Sequence, residues 1–203
     1  RENNAIPLTS ITTHIKAGYF DETDRVSGIA HVVEHMFFKG TDRRAVGQIA
    51  RETKALGGSL NAYTNYERTV YHSVVPSENA VQAMDIQSDA LFNPTFDAGE
   101  LVREIEVVLQ ENNRKLDDPR AVAVERLYAT SFEEHRMRRW RIGSPEQLRA
   151  LTRQDLADFY QNYYQPSNII LVVVGQFDRE EMLDQVVRFY GDQSDTPVER
   201  DRG

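Results

Sequence analysis

The chain has 203 residues, 40% of them hydrophobic and 28% charged, which is enough to bury one core and cramped for two. A formal charge of −8 argues against nucleic acid as the main partner, because phosphate binding needs a basic surface. Without a single cysteine, disulfides, thiolate metal sites and a cysteine nucleophile are all excluded, so any metal must be held by histidines and carboxylates.

No run approaches the roughly 18 apolar residues of a membrane span. The start, Arg1-Glu2-Asn3-Asn4, has neither an initiator Met nor a signal pattern, so a trimmed N-terminus is expected and nothing assigns a compartment. In chain order, alternation of Ile11, Ile15 and Ala17 with Thr13, His14 and Lys16 predicts a half-buried strand over 8–17, with His14 facing solvent. A polar loop over 18–27 then leads to His31-Val32-Val33-Glu34-His35. On a helix, positions 31, 34 and 35 share one face, so two imidazoles can grip one metal beside a carboxylate. Gly28 and Gly40 mark its ends, and the valines and phenylalanines give its other side something to bury. A buried helix with two incidental histidines is the plain alternative, but a chance His-x-x-Glu-His in a chain of this length has odds of about one per cent.

Helical spacing over 46–56 closes at Gly57-Gly58, and two candidate strands, 59–64 and 69–75, form a hairpin in which His72 reads as a packed imidazole. Ser77 is a plausible N-cap for a helix over 78–91. Asp97 caps the longest helical pattern, with Leu101, Ile105, Val108, Leu109, Asn112 and Leu116 along one side until Asp117-Asp118-Pro119. A helix over 120–131 follows, then an irregular Arg-rich stretch over 132–151, then a helix over 152–163. The run Arg136-Met137-Arg138-Arg139-Trp140-Arg141 reads as a solvated or inter-domain face rather than a nucleic-acid element. Residues 169–174 are expected to form a strand buried on both faces or nearly so. Asp178 caps a last helix to about Tyr190, and 193–203 reads as a frayed polar tail.

Catalytic zinc takes three protein ligands and leaves a fourth position to water, so the two histidines need another partner. Other histidines and many carboxylates are candidates. The long helix offers Glu104 and Glu111, two turns apart on nearly the same face, with Glu106 pointing elsewhere, although a solvated glutamate face fits the same pattern.

The stretch from Gly28 to Thr41, with its inverted zinc-protease motif His31-x-x-Glu34-His35, resembles the pitrilysin, insulysin and mitochondrial processing peptidase family. Gly57 to Thr64, Arg68 to Tyr71, Glu104 through Glu111, Ile142-Gly143 and Val172 to Asp178 resemble further stretches of that family in the same order. The resemblance implies that His31, His35 and Glu111 bind Zn2+, that Glu34 is the general base, and that Glu104 orients a ligand from behind. It implies an α+β domain, an antiparallel sheet with helices packed mainly on one side, used in pairs that close like a clamshell. The substrate, an extended peptide or small protein, would add as a strand to the edge over 59–64, with Asn61 and Ala62 closest to the metal; without the resemblance this is an ordinary hairpin edge. Residues 1–203 then read as one zinc-binding catalytic domain, expected to lack an edge strand at its start and to need a second homologous domain or subunit. No oxyanion donor is evident near the motif. The competing readings are a catalytically silent peptide-binding or structural module of the same fold, and a structural zinc site, which three ligands and an open position disfavour.

Overall fold

The computed structural model describes residues 1–2 and 5–200. In chain order its elements are β1 (Leu8–Ile15), α1 (Ile29–Met36), α2 (Gln48–Ala55), β2 (Ser59–Thr64), β3 (Thr69–Pro76), α3 (Ala80–Phe92), α4 (Ala98–Leu116), α5 (Pro119–Ser131), α6 (Pro145–Ala150), α7 (Arg153–Tyr163), β4 (Ile169–Gly175) and α8 (Arg179–Tyr190). The strands pair antiparallel in the order β2-β3-β1-β4, giving an α+β fold with helices mainly on one side of the sheet.

The period of two along each strand decides which face is covered. Thr9, Ile11, Thr13 and Ile15 of β1 are buried, and Tyr71 and Ser73 of β3 stand directly opposite Thr13 and Ile11 on the same face. Against that face lies α1, whose Ile29, Ala30, Val32, Val33 and Met36 are buried in the main core. Just past its end, the Phe37 ring stacks on Tyr71 at 4.0 Å. The Tyr71 hydroxyl meets that of Tyr164 at 2.9 Å, so the polar tip is satisfied where the ring is buried. Each such fully buried side chain contributes about 1.5–3 kcal/mol, and together they fix the height of α1 above the sheet.

The start of α1 has no side-chain cap of the usual kind. Gly28 is left-handed, at φ +93, and the backbone N–H groups of Gly28 and Ala30 donate to the two oxygens of Glu22, at 2.9 and 3.0 Å. A buried carboxylate thus satisfies two of the orphan donors and sits at the positive end of the helix dipole. Arg139 donates to the Glu22 carbonyl at 2.6 Å and to Asp24, where Arg138 joins it, while Arg136 reaches the Phe20 carbonyl. Arg141 pairs with the buried Glu125, which also takes Lys115. The basic run is therefore a strap that ties the 20–24 loop beneath α1, not a solvated face.

Four further expectations are corrected. Residues 169–174 do form a strand, but Ile170, Val172 and Val174 are 50%, 39% and 37% exposed, because helices cover only one face of the sheet; an apolar run reads alike whether one face or both are covered. Ser77 does not cap α3: it lies in a 3-10 turn, and its hydroxyl meets that of Thr9. The irregular stretch contains α6, closed by a reciprocal cap in which Ser144 Oγ accepts from Gln147 N–H and Gln147 Oε1 accepts from Ser144 N–H. The tail is tethered, with Asp195 accepting from Ser167 N–H and Arg200 paired with Asp21; residues 201–203 lie outside the described residues.

Candidate metal centre

One turn of α1 places His31, Glu34 and His35 on the side facing α4, and α4 supplies two carboxylates from the same side. Asp97 Oδ1 caps α4 by accepting from Glu100 N–H at 2.9 Å, and the buried row Leu101, Ile105, Val108 and Leu109 seats the helix against the core. Glu104 lies within that row, 4% exposed, while Glu106 points to solvent.

His31 Nε2 and His35 Nε2 are 3.1 Å apart, and Glu111 Oε2 lies 3.6 and 3.7 Å from them. Among the described residues these three make a group whose ligand atoms all fall within 4.8 Å of one another. Zinc ligands at 2.0–2.1 Å in tetrahedral directions stand about 3.3 Å from each other, so the triangle has the size that a Zn2+ ion requires. The protonation state of His31 suits it as well. Burial, then the neighbouring His35, hold the His31 imidazole down at about 3, so it is neutral with a lone pair to give. His35 Nδ1 lies 2.8 Å from Glu104 Oε1; with its hydrogen on Nδ1, its Nε2 lone pair faces His31 and Glu111. Burial alone would lower the His35 pKa, but the hydrogen bond to Glu104 and the charges of Glu111 and Glu104 raise it.

The second oxygen of Glu104 takes the Lys39 ammonium. Burial opposes ionisation of Glu104, but His35 and Lys39 outweigh it and lower its pKa. Glu34 differs: burial raises its pKa against the hydrogen bond that Thr64 Oγ1 donates to its Oε2. A raised, partly desolvated carboxylate beside a metal triangle is suited to accept a proton.

These groups open onto a cleft of about 470 Å3, whose walls include Tyr19, Lys39, Asn61, Ala62, Tyr63 and Thr64. β2 is the end strand of the sheet, so one of its edges has no partner strand. Its hairpin closes with Asn65 N–H donating to the Arg68 carbonyl at 2.9 Å. By antiparallel alternation Tyr63, Asn61 and Ser59 then exchange hydrogen bonds with β3, leaving the backbone groups of Leu60, Ala62 and Thr64 aimed at the free edge. The Ala62 N–H is taken by the side chain of its neighbour, Asn61 Oδ1, at 2.9 Å.

All seven residues expected from the sequence thus border one cleft. His72 is outside it, half-buried beside Tyr63, and His14 lies on the uncovered sheet face. Sequence reasoning missed Thr64, Lys39, Glu22 and Tyr19. Lys39 follows His35 by one turn, a visible signal, whereas the roles of Thr64, Glu22 and Tyr19 depend on how the hairpin and the 18–22 turn fold back on α1.

The comparisons with known proteins converge on one family. The profile described as Insulinase (Peptidase family M16) matches residues 2–144, and that described as Peptidase M16 inactive domain matches 150–202. The probable mitochondrial-processing peptidase subunit beta of Arabidopsis thaliana is 33% identical over 97% of this chain and 37% of its own length. An uncharacterized zinc protease of Rickettsia felis is 33% identical over 91% of this chain and 45% of its own. Among solved structures, the first half of the periplasmic protease PqqL from Escherichia coli superposes with a TM-score of 0.89 at 27% identity, covering 100% of this chain and 45% of that one. The chain thus spans less than half the length of these relatives.

Proposed function

The chain belongs to the insulinase family of peptidases, family M16, and from that membership we propose that it is the zinc-binding catalytic domain of a metalloendopeptidase acting on extended peptides or small proteins. The observation that carries this reading is the triangle of His31 Nε2, His35 Nε2 and Glu111 Oε2, with sides of 3.1, 3.6 and 3.7 Å, beside a buried carboxylate in an open cleft. His31, His35 and Glu111 would hold Zn2+. The ion would polarise the peptide carbonyl and bring the pKa of a coordinated water to about 7.

The remaining work falls to side chains. Thr64 fixes Oε2 of Glu34, leaving Oε1 to accept a proton from the attacking water and pass it to the departing amine nitrogen. Glu104, oriented by Lys39, holds the His35 ring in the tautomer that presents Nε2. The free edge of β2 would receive the peptide backbone, with Asn61 Oδ1 giving up the Ala62 N–H as the peptide carbonyl replaces it. A second homologous domain or subunit would close the cleft over the bound strand and exclude water.

Metal analysis and a peptide assay on the full-length protein, alongside Glu34→Gln, test this reading. One zinc per chain and cleavage of an unstructured peptide that Glu34→Gln abolishes are expected. A zinc-loaded protein that binds such a peptide without cleaving it would instead identify a silent binding module.

A further inference from the structure

Hydrolysis of a peptide bond needs a donor for the carbonyl oxygen as it becomes negative, and most polar side chains around the cleft are already committed. Glu34, Glu104 and Glu111 are acceptors, Thr64 donates to Glu34, and Lys39 is paired with Glu104. Tyr63 and Asn61 also line the cleft, both on β2, the strand proposed to receive the peptide. Tyr19 remains. It lines the same cleft as His31, Glu34, His35 and Glu111 but comes from none of the elements that carry them, lying in the 3-10 turn Tyr19–Asp21 after β1.

Its position is rigid. Tyr19 N–H donates to the Asn65 carbonyl at 3.0 Å and Phe20 N–H to that of Tyr66 at 2.8 Å, so the turn is laced to the β2–β3 hairpin. Gly18 permits this approach, because a Cβ there would stand 2.2 Å from the Asn65 oxygen. The Tyr19 ring meets Tyr66 edge-on, with centroids 6.1 Å apart. The ring is half-buried, and no hydrogen bond from the described residues occupies its hydroxyl, which leaves that donor to a bound group. Burial, then the charges of Glu22 and Glu34, push the phenol well above its ordinary value, so it stays a donor at any working pH. A donor held in place before the reaction costs no reorganisation when charge develops.

We propose that the Tyr19 hydroxyl donates a hydrogen bond to the carbonyl oxygen of the scissile peptide as that oxygen takes on negative charge. The assignment rests on the peptidase reading above and adds a catalytic residue to it. Tyr19→Phe keeps the ring and its contact with Tyr66 while removing only the donor.

The test uses the zinc-loaded full-length protein and two probes of one sequence: a cleavable peptide, and its phosphinic analogue, in which a tetrahedral phosphorus bears the anionic oxygens. For Tyr19→Phe, kcat should fall about 10²- to 10³-fold, the usual loss for one such donor, with KM and zinc content near wild type. Phosphinate affinity should fall steeply as well, while affinity for the intact peptide, measured in the Glu34→Gln background, stays unchanged. Wild-type kcat and phosphinate affinity in Tyr19→Phe would overturn the assignment. So would equal weakening of phosphinate, peptide and zinc binding, which marks a purely structural role. A wild-type protein that binds neither zinc nor phosphinate would refute the peptidase reading itself, and the role of Tyr19 would fall with it.

Discussion

His35 Nδ1 and Glu104 Oε1 are 2.8 Å apart, and the other oxygen of Glu104 takes Lys39, so one buried carboxylate links the proposed metal ligand to a lysine one turn further along the chain. The carboxylate orients His35 without itself reaching His31 or Glu111. Glu104→Ala should therefore weaken zinc affinity by about 10- to 100-fold, the usual cost of losing such an orienting partner, and Glu111→Ala by more. Competitive chelator titration ranks the two. If Glu104→Ala were the more damaging, the two glutamates would have to exchange roles.

The proposed base can be separated from the ligands. Glu34→Gln keeps the shape and the Thr64 contact while removing the proton acceptor, so peptide turnover should drop by about 10²- to 10⁴-fold with zinc retained. Thr64→Val leaves the carboxylate but deletes a hydrogen bond that lowers its pKa. The acid limb of kcat/KM should then move to higher pH, and a profile that does not move would separate Thr64 from the base.

The parts of this site legible in the sequence are those set by local geometry. His31, Glu34 and His35 share a face because of the 3.6-residue period, and Glu104 and Glu111 share one because seven residues make nearly two turns. Caps were equally plain at Asp97 and Asp178, each of which accepts from backbone N–H at the start of its helix. What escaped notice depends on distant segments meeting. Glu22 caps α1 from an earlier loop, Tyr19 reaches the cleft through the hairpin, and the outer face of β4 is bare because helices pack on only one side. Composition cannot reveal which face of an apolar strand lacks a cover.

Gly28 couples α1 to the 140–143 segment. At φ +93 it is already disfavoured for any other residue, and a Cβ would stand 2.4 Å from the Ile142 carbonyl oxygen. Gly28→Ala should cost about 1–3 kcal/mol from backbone strain alone, and more if Ile142 cannot retreat. A urea titration would show a lower midpoint with an unchanged slope. A wild-type midpoint would mean that the two segments separate freely.

Acid should loosen α7, which packs against α1. The Asp155 carboxyl is pulled down to about 2, first by its hydrogen bond from Arg25 and, against the opposing effect of burial, by Thr152 as well. In the unfolded chain it titrates near its ordinary value of about 3.9. The folded pKa is depressed, so the stabilisation is fully present above about pH 4 and is lost as pH falls from there toward 2. Arg25 is 69% exposed, so solvent screens the pair and the effect is modest. Asp155→Asn should lower stability at neutral pH and flatten the decline between pH 4 and 2. Parallel wild-type and variant curves across that window would refute the linkage.

The β2 edge offers the most direct test of how a peptide would be held. Ala62 N–H points away from β3 and is occupied only by Asn61 Oδ1, so removing it breaks no bond of the sheet ladder. Proline is tolerated on an edge strand where the lost N–H faces outward. Ala62→Pro should therefore fold and keep its zinc, because none of His31, His35 and Glu111 lies on that strand. An added strand would lose one of its main-chain hydrogen bonds and meet a ring where an amide had been. Net hydrogen bonds are worth about 0.5–1.5 kcal/mol each, which alone predicts a 2- to 13-fold rise in peptide Kd, with steric exclusion adding to it. Calorimetry with an unstructured peptide in the Glu34→Gln background measures this without turnover. Unchanged affinity in a zinc-replete Ala62→Pro variant would show that the peptide lies elsewhere in the cleft, and the edge of β2 would revert to an ordinary hairpin border.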